Sequence, residues 1–247
     1  MLISATMRKF GLIGQSLSHS FSKSFFEKLF ESQQIDAEYH NLELLEIEEI
    51  TETLKKGYQG LNVTIPYKET IIPFLDELSD EARIIGAVNT VQFKDGKSIG
   101  HNTDTFGFHQ SVKPFISNQH ERAIIIGTGG VSKAVEFVLK SIGLDVIFIS
   151  RNPIKGNEFS YDEINSYMLD ACKMIVNCTP IGTFPNVDEE IYLPYEFLSE
   201  HHLVVDLVYN PPKTVFLRKA EKQGSIIVNG SSMLKEQALK SWSIWNY

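Results

Sequence analysis

The 247-residue sequence predicts an α/β fold in two domains. Apolar runs of strand length alternate with amphipathic helical stretches, the pattern of helices laid over a mostly parallel sheet. Near the middle this alternation is interrupted by Pro114 and the polar residues 117–121. A second series of the same kind then opens at Ala123. A composition of 43% hydrophobic and 22% charged residues is that of a folded globular protein, and the length suffices for two domains of ordinary size.

In the first series, residues 9–14 read as a strand. Residues 20–32 read as a helix in which Phe21, Phe25, Phe26, Leu29 and Phe30 recur at near-helical spacing and mark a core face. Residues 38–42 suggest a second strand, 46–56 an acidic surface helix closed by Gly57, and 60–65 a third strand stopped by Pro66. Residues 87–93 and 98–100 flank Lys94-Asp95-Gly96, a hairpin pattern, and residues 103–112 form a helix leading to Pro114. The second series has four strands, at 123–127, 146–150, 174–178 and 203–207, with 131–142 as the first crossover helix. A last helix, 230–245, is entered through Ser231 and Ser232.

A formal net charge of −8 argues against nucleic acid or an anionic membrane surface as the main partner and is compatible with a local cationic pocket. No apolar run approaches the length of a membrane span. Cys172 and Cys178, spaced C-x5-C, match neither a zinc knuckle nor a redox pair and read as buried, inert thiols. Without a disulfide framework, and with a start that lacks the order of a signal peptide, a cytoplasmic protein without a metal is expected.

The run Ile124-Ile125-Ile126-Gly127-Thr128-Gly129-Gly130-Val131-Ser132 is a buried strand entering a glycine turn and then a helix, the Rossmann-like context for a dinucleotide. Gly127 permits the tight turn, Gly129 lets a pyrophosphate approach backbone N–H groups, and the helix N-terminus faces the phosphates. The next strand ends Ile149-Ser150-Arg151-Asn152. Where an NAD-binding fold carries a carboxylate for the ribose hydroxyls, this chain offers a guanidinium that can fork onto a 2′-phosphate, so NADP is the expected cofactor.

Along residues 60–69 apolar and polar residues alternate, so Asn62 and Thr64 share one face of the strand. Lys68 stands just past the strand end, where open α/β sheets place ligand groups. Asn89-Thr90 and His101-Asn102-Thr103-Asp104 lie at later strand ends; such small hydrogen-bonders suit a polyhydroxylated substrate. A lysine beside a carboxylate can move the proton that accompanies hydride transfer at an alcohol. Which of Lys68 and Asp104 carries it stays open, and taken alone Lys68 reads as a solvated charge and Asp104 as a helix cap.

N-V-T-I-P-Y-K-E, A-V-N-T, N-T-D and G-T-G-G stand in the order and spacing of the shikimate dehydrogenases, and the chain resembles that family over nearly its whole length. The resemblance implies NADPH-dependent, reversible reduction of 3-dehydroshikimate to shikimate, a step of aromatic amino acid biosynthesis. It implies that Ser20 and Ser22 bind the substrate carboxylate and hydroxyls, that Asn62, Thr64 and Asn89 add contacts, and that Lys68 and Asp104 are the catalytic pair. Tyr209 and Gln237 would approach the substrate. Gly127, Thr128, Gly129, Gly130, Val131, Ser150, Arg151, Asn152 and Thr179 would hold the cofactor, with Gly230 and Met233 near the nicotinamide. The implied domains are 1–103 completed by 230–247 for substrate, and 104–229, Rossmann-like, for NADP, in a monomer or homodimer. A NAD-preferring quinate/shikimate dehydrogenase and a non-catalytic NADP-binding regulator are the alternatives. Ser16, Lys23, Thr105 and Lys133 depart from the family pattern without removing an implied catalytic group, and the chain stops at Tyr247, so later family helices are expected to be short or missing.

Overall fold

The computed structural model describes residues 7–18, 20–154 and 156–247. Residues 1–6, on which the signal-peptide reading partly rests, lie outside the described residues, as do His19 and Lys155. The chain divides into two compact units, one of residues up to Thr103 together with Ala238–Tyr247, the other Asp104–Gln237. The sequence-based boundary at 230 differs from this division: Met233 belongs to the core of the second unit.

The first unit contains β1 (Arg8–Gly14), α1 (Phe21–Ser32), β2 (Ala37–Glu43), α2 (Ile50–Leu54), β3 (Gly60–Val63), β4 (Glu77–Leu78), α3 (Asp80–Ile85), β5 (Thr90–Lys94) and β6 (Lys97–His101). Its sheet runs β2-β1-β3-β5-β6-β4. β1 is parallel to β2 and β3, whereas β3–β5 and β5–β6 are antiparallel. The expected hairpin turns through Asp95 and Gly96, both at positive φ (52° and 76°), as a tight two-residue connection needs. The expected helix over 46–56 is instead a 3-10 turn, Ile47–Glu49, leading into the single turn of α2. Glu46 and Glu49 form a reciprocal capping box there that starts a tight turn rather than a long helix.

The end of the last helix, α8 (Ser231–Trp245), contributes Ala238 and Trp245 to an aromatic core with Phe10, Phe26, Phe30 and Tyr39. Phe10 and Trp245 stack with centroids 4.9 Å apart, and the Trp245 indole donates to the Val91 carbonyl at 3.0 Å. Gly60 is required by this packing, because a side chain there would run into the Trp245 ring.

The second unit contains α4 (Asp104–Val112), β7 (Arg122–Ile126), α5 (Gly130–Ser141), β8 (Asp145–Ile149), β9 (Glu158–Phe159), α6 (Ser166–Ala171), β10 (Met174–Asn177), β11 (Leu203–Asp206), α7 (Val215–Lys222), β12 (Ile226–Val228) and the start of α8. Its sheet is parallel throughout, in the order β12-β11-β10-β7-β8-β9. The strand order reverses at β7, and ligands of such sheets bind beyond the carboxyl ends of the strands at that switch. Along β7 the buried residues alternate between two cores, Ala123 and Ile125 on one face, Ile124 and Ile126 on the other. Burial pushes the Cys172 thiol up to about 11 and the Cys178 thiol higher still, so both stay protonated and unreactive. Among the described residues no helix is long and apolar enough to cross a membrane, and no cluster of three potential metal ligands occurs.

Two Ser-x-x-His turns precede β7 and β11: Ser117 N–H donates to His120 Nδ1 at 2.9 Å and Ser199 N–H to His202 Nδ1 at 3.0 Å. His202 donates from Nε2 to the Leu169 carbonyl at 2.9 Å, so its acceptor nitrogen must remain unprotonated. Burial lowers the affinity of both rings for a proton. A base whose folded pKa lies below its unfolded value contributes stability that is present above the ordinary 6.5 and is lost as pH falls through the folded value. Thermal stability is therefore expected to decline from pH 7 to pH 5, and His202→Asn, which retains an acceptor for Ser199, is expected to flatten the decline; an unchanged slope in melting curves would count against this account.

Candidate active site

In the first unit the polar residues singled out above gather around the carboxyl end of β3. Asn62, in β3, is 8% exposed and accepts from the Tyr39 hydroxyl at 2.8 Å. The Ser22 hydroxyl, in the first turn of α1, bonds to the same phenol, whose proton is held tightly because the ring is buried. Val63 N–H donates to the Asn89 carbonyl at 2.9 Å, which ties β3 to the segment entering β5. Asn89 is buried, its Oδ1 accepting from Thr103 N–H at 2.7 Å and its Nδ2 donating to Thr103 Oγ1 at 3.0 Å. Its amide is thereby presented in one orientation. Thr64, half-buried, is pinned by its N–H to the Ile13 carbonyl at 2.8 Å. Lys68 is half-buried in the turn after β3, and its carbonyl accepts from Val88 N–H at 2.7 Å, one residue from Asn89.

Ser20 has a distinct environment. It precedes α1 as its N-cap residue, yet its side chain caps nothing, and its Oγ is buried without a hydrogen-bond partner. Buried hydroxyls are normally satisfied, so an orphan at the start of a twelve-residue helix with no acid in its first turn marks a place for an anionic or hydroxylated ligand.

In the second unit Gly127 follows β7 at φ +98°, a conformation suited to glycine, and its N–H donates to the Ile149 carbonyl at 2.9 Å. Thr128 and Gly129 are exposed; Gly130 and Val131 are half-buried at the head of α5. That helix has no side-chain cap and no acid in its first turn, and a side chain built on Gly129 would meet nothing within 4 Å. Backbone N–H groups there are open to an anion. β8 is followed by Ser150, Arg151 and Asn152, with Asn152 N–H turned back onto Ser150 Oγ at 3.2 Å and Arg151 exposed. These features fit a 2′-phosphorylated dinucleotide: an uncapped helix start for the pyrophosphate, a guanidinium and no carboxylate after the second strand.

Thr179 packs its methyl against Gly127 and is fixed by Asn177, whose Oδ1 accepts from Thr179 N–H at 2.9 Å and Thr179 Oγ1 at 2.7 Å. Asn177 in turn donates to Asp206 Oδ1 at 2.9 Å. Asp206 also accepts from Val208 N–H at 3.0 Å and Thr214 Oγ1 at 2.5 Å. Tyr209 follows β11 half-buried, and burial raises its phenol. Gly230 is buried with its Cα against the Leu207 carbonyl, where any side chain would overlap backbone. Asp104 opens α4 and is 2% exposed. Gly107, one turn on, lies so close to α8 that a Cβ would sit 2.6 Å from the Met233 carbonyl and 3.1 Å from Gln237. Met233 is buried and Gln237 half-buried on that helix.

Lys68, Asn62, Asn89, Ser20 and Ser22 thus belong to the first unit, and Asp104, Tyr209, Gln237 and the nucleotide-turn residues to the second. Sequence reasoning missed Tyr39, Ser241, Asp206 and Thr214 as parts of these networks. Only Asp206 carried a signal, as the single acid in an otherwise apolar strand.

Comparison with known proteins shows what the whole chain is similar to. The family description "Shikimate dehydrogenase substrate binding domain" matches residues 12–91. A shikimate dehydrogenase (NADP(+)) of Caldicellulosiruptor saccharolyticus is 38% identical, over 97% of this chain and 92% of that protein. The crystal structure of the Thermus thermophilus shikimate 5-dehydrogenase in complex with NADP(H) and shikimate superposes with a TM-score of 0.85 at 30% identity, covering 97% of this chain and 93% of that one. The Corynebacterium glutamicum quinate dehydrogenase in complex with NAD gives 0.86 at 26%, covering 96% and 93%. With so high an identity over almost its whole length, the chain belongs to the shikimate dehydrogenase family.

Proposed function

We propose that this protein is an NADP-dependent shikimate dehydrogenase that reversibly reduces 3-dehydroshikimate to shikimate, a cytoplasmic enzyme working on small molecules as a monomer or homodimer. The observation that carries the reading is the buried, unpartnered Ser20 hydroxyl at the start of α1, in the same unit as the buried amides of Asn62 and Asn89. Ser20 and Ser22 receive the substrate carboxylate, assisted by the helix start. Asn62, Thr64 and Asn89 locate ring hydroxyls, with Tyr209 and Gln237 completing the substrate contacts. Substrate belongs to residues 1–103 with the end of the chain, nucleotide to the glycine-turn unit.

NADPH, when bound, supplies the hydride. The protein's part is to hold the reacting oxygen and move its proton, and Lys68 and Asp104 are the residues assigned to that step: as hydride reaches the carbonyl carbon, Lys68 donates a proton to the oxygen, which becomes the carbinol. Gly127 to Val131 and Thr179 seat the pyrophosphate, Ser150, Arg151 and Asn152 the 2′-phosphate, and Gly230 and Met233 flank the nicotinamide. Purified protein with shikimate and NADP is expected to show growth of the reduced-nicotinamide absorbance. Faster growth with quinate and NAD would overturn the reading. Arg151→Ala is expected to raise KM for NADP by roughly 10-fold or more, the scale of a charge-assisted bond, while KM for NAD changes by less than about 2-fold. Equal shifts with both nucleotides would remove the 2′-phosphate assignment.

A further inference from the structure

The side-chain amide of Asn62 is clamped at both ends. Its Oδ1 accepts from the Tyr39 hydroxyl at 2.8 Å, and its Nδ2 faces Ser241 Oγ at 3.0 Å, Thr90 Oγ1 at 3.2 Å and the Asn89 carbonyl at 3.3 Å. A backbone carbonyl can only accept, so the group facing it must be the NH2, and the oxygen must face Tyr39. Tyr39 comes from β2 and Ser241 from α8, and both are buried, at 2% and 0% exposure. The Tyr39 ring is stacked on Phe26, centroids 4.7 Å apart and planes inclined by 12°, so the hydroxyl has little freedom.

Ser241 reaches further. Its Oγ lies 2.7 Å from Thr90 Oγ1 and 3.2 Å from Thr103 Oγ1. Thr90 Oγ1 donates to Asn89 Oδ1 at 3.2 Å, and Thr103 holds the Asn89 amide on both sides. One hydroxyl of the last helix therefore joins the partners of both asparagines, within a single unit of the fold. Resting on the shikimate dehydrogenase reading, we infer that Ser241 and Tyr39 are positioning residues for the polyol site: Tyr39 holds the Asn62 oxygen, and Ser241 holds the Asn62 NH2 and the two threonine hydroxyls that hold Asn89. The Asn89 carbonyl and the Thr103 N–H set which end of each amide is the donor, and the hydroxyls of Tyr39 and Ser241 add the partners that hold each amide plane at one angle to a substrate hydroxyl. Neither residue touches the reacting atoms.

Ser241→Ala and Tyr39→Phe each delete one hydroxyl and keep the surrounding packing. Each is expected to raise KM for shikimate by roughly 5- to 10-fold, the scale of one or two hydrogen bonds, with KM for NADP unchanged. Ser241→Thr, which restores a hydroxyl, is expected to recover part of the loss. A role confined to stability would lower Tm or move both KM values together, and either pattern without a selective rise for shikimate overturns the inference. If Ser241→Ala does not fold, Tyr39→Phe decides by the same readout. No turnover of shikimate by the unmodified protein would remove the underlying reading, whereas normal turnover with unmoved KM in both variants removes only the positioning role.

Discussion

Replacing Lys68 by alanine is expected to lower kcat for shikimate oxidation by about 10²- to 10⁴-fold, the range of a lost general acid–base group, with KM for NADP and Tm close to wild type. The side chain is half-buried, and the turn that carries it is anchored by backbone, through the Val88 N–H to the Lys68 carbonyl at 2.7 Å and the Tyr67 N–H to the Thr64 carbonyl at 2.9 Å. Neither bond uses the ammonium, so both are kept on truncation. The loss should fall on turnover, because a proton at the carbinol oxygen is needed in the transition state more than in binding. Lys68→Arg is the sharper control: a guanidinium keeps the charge but does not release a proton, and so it should not restore kcat. Wild-type kcat in either variant would refute the assignment of Lys68 to the chemistry.

The clearest parts of the sequence were those in which local pattern and tertiary role coincide. β7, the Gly127 turn and α5 were legible because Ile124 to Ile126 are buried on both faces and Gly127 takes the positive φ that its position implies. The short elements were not. α3 has only six residues, although its signals were present, the Ser79 side chain accepting from Ala82 N–H and Gly86 closing it at φ +70°. α7 turns one apolar patch, Phe216, Leu217 and Ala220, to the core after Pro211-Pro212, too brief a period to separate from a loop, and β12 is a three-residue edge strand. In the candidate site, Asn62 stood out by strand alternation and Lys68 by its place past the strand end, whereas Ser20 was singled out by the family resemblance alone. Tyr39 and Ser241 were not, because their partner Asn62 lies 23 residues from one and 179 from the other, and single-sequence periodicity carries no information on such pairings.

Asp206→Ala is expected to destabilise the protein by about 3–5 kcal/mol, a fall in Tm on the order of 10 °C, while Asp206→Asn stays within about 1 kcal/mol of wild type. The carboxylate is wholly enclosed at the end of β11 and satisfies three donors at once, Asn177 Nδ2, Val208 N–H and Thr214 Oγ1. Alanine strands all three in the interior. Asparagine keeps an oxygen for two of them and meets the Thr214 hydroxyl with an NH2, which that hydroxyl can accept. Burial raises the Asp206 carboxyl, outweighing those three hydrogen bonds. An acid whose folded pKa exceeds its unfolded value contributes stability at low pH that is lost as pH rises through the folded value. Stability of Asp206→Asn relative to wild type should therefore improve on going from about the ordinary 3.8 upward, then level off. The same deletion frees the Asn177 amide, whose Oδ1 holds both the N–H and the hydroxyl of Thr179 beside Gly127. Below its melting range, Asp206→Ala should then bind NADP more weakly while KM for shikimate holds. A full-strength NADP KM in a demonstrably folded Asp206→Ala would separate this buried network from the nucleotide turn and leave it a stability device alone.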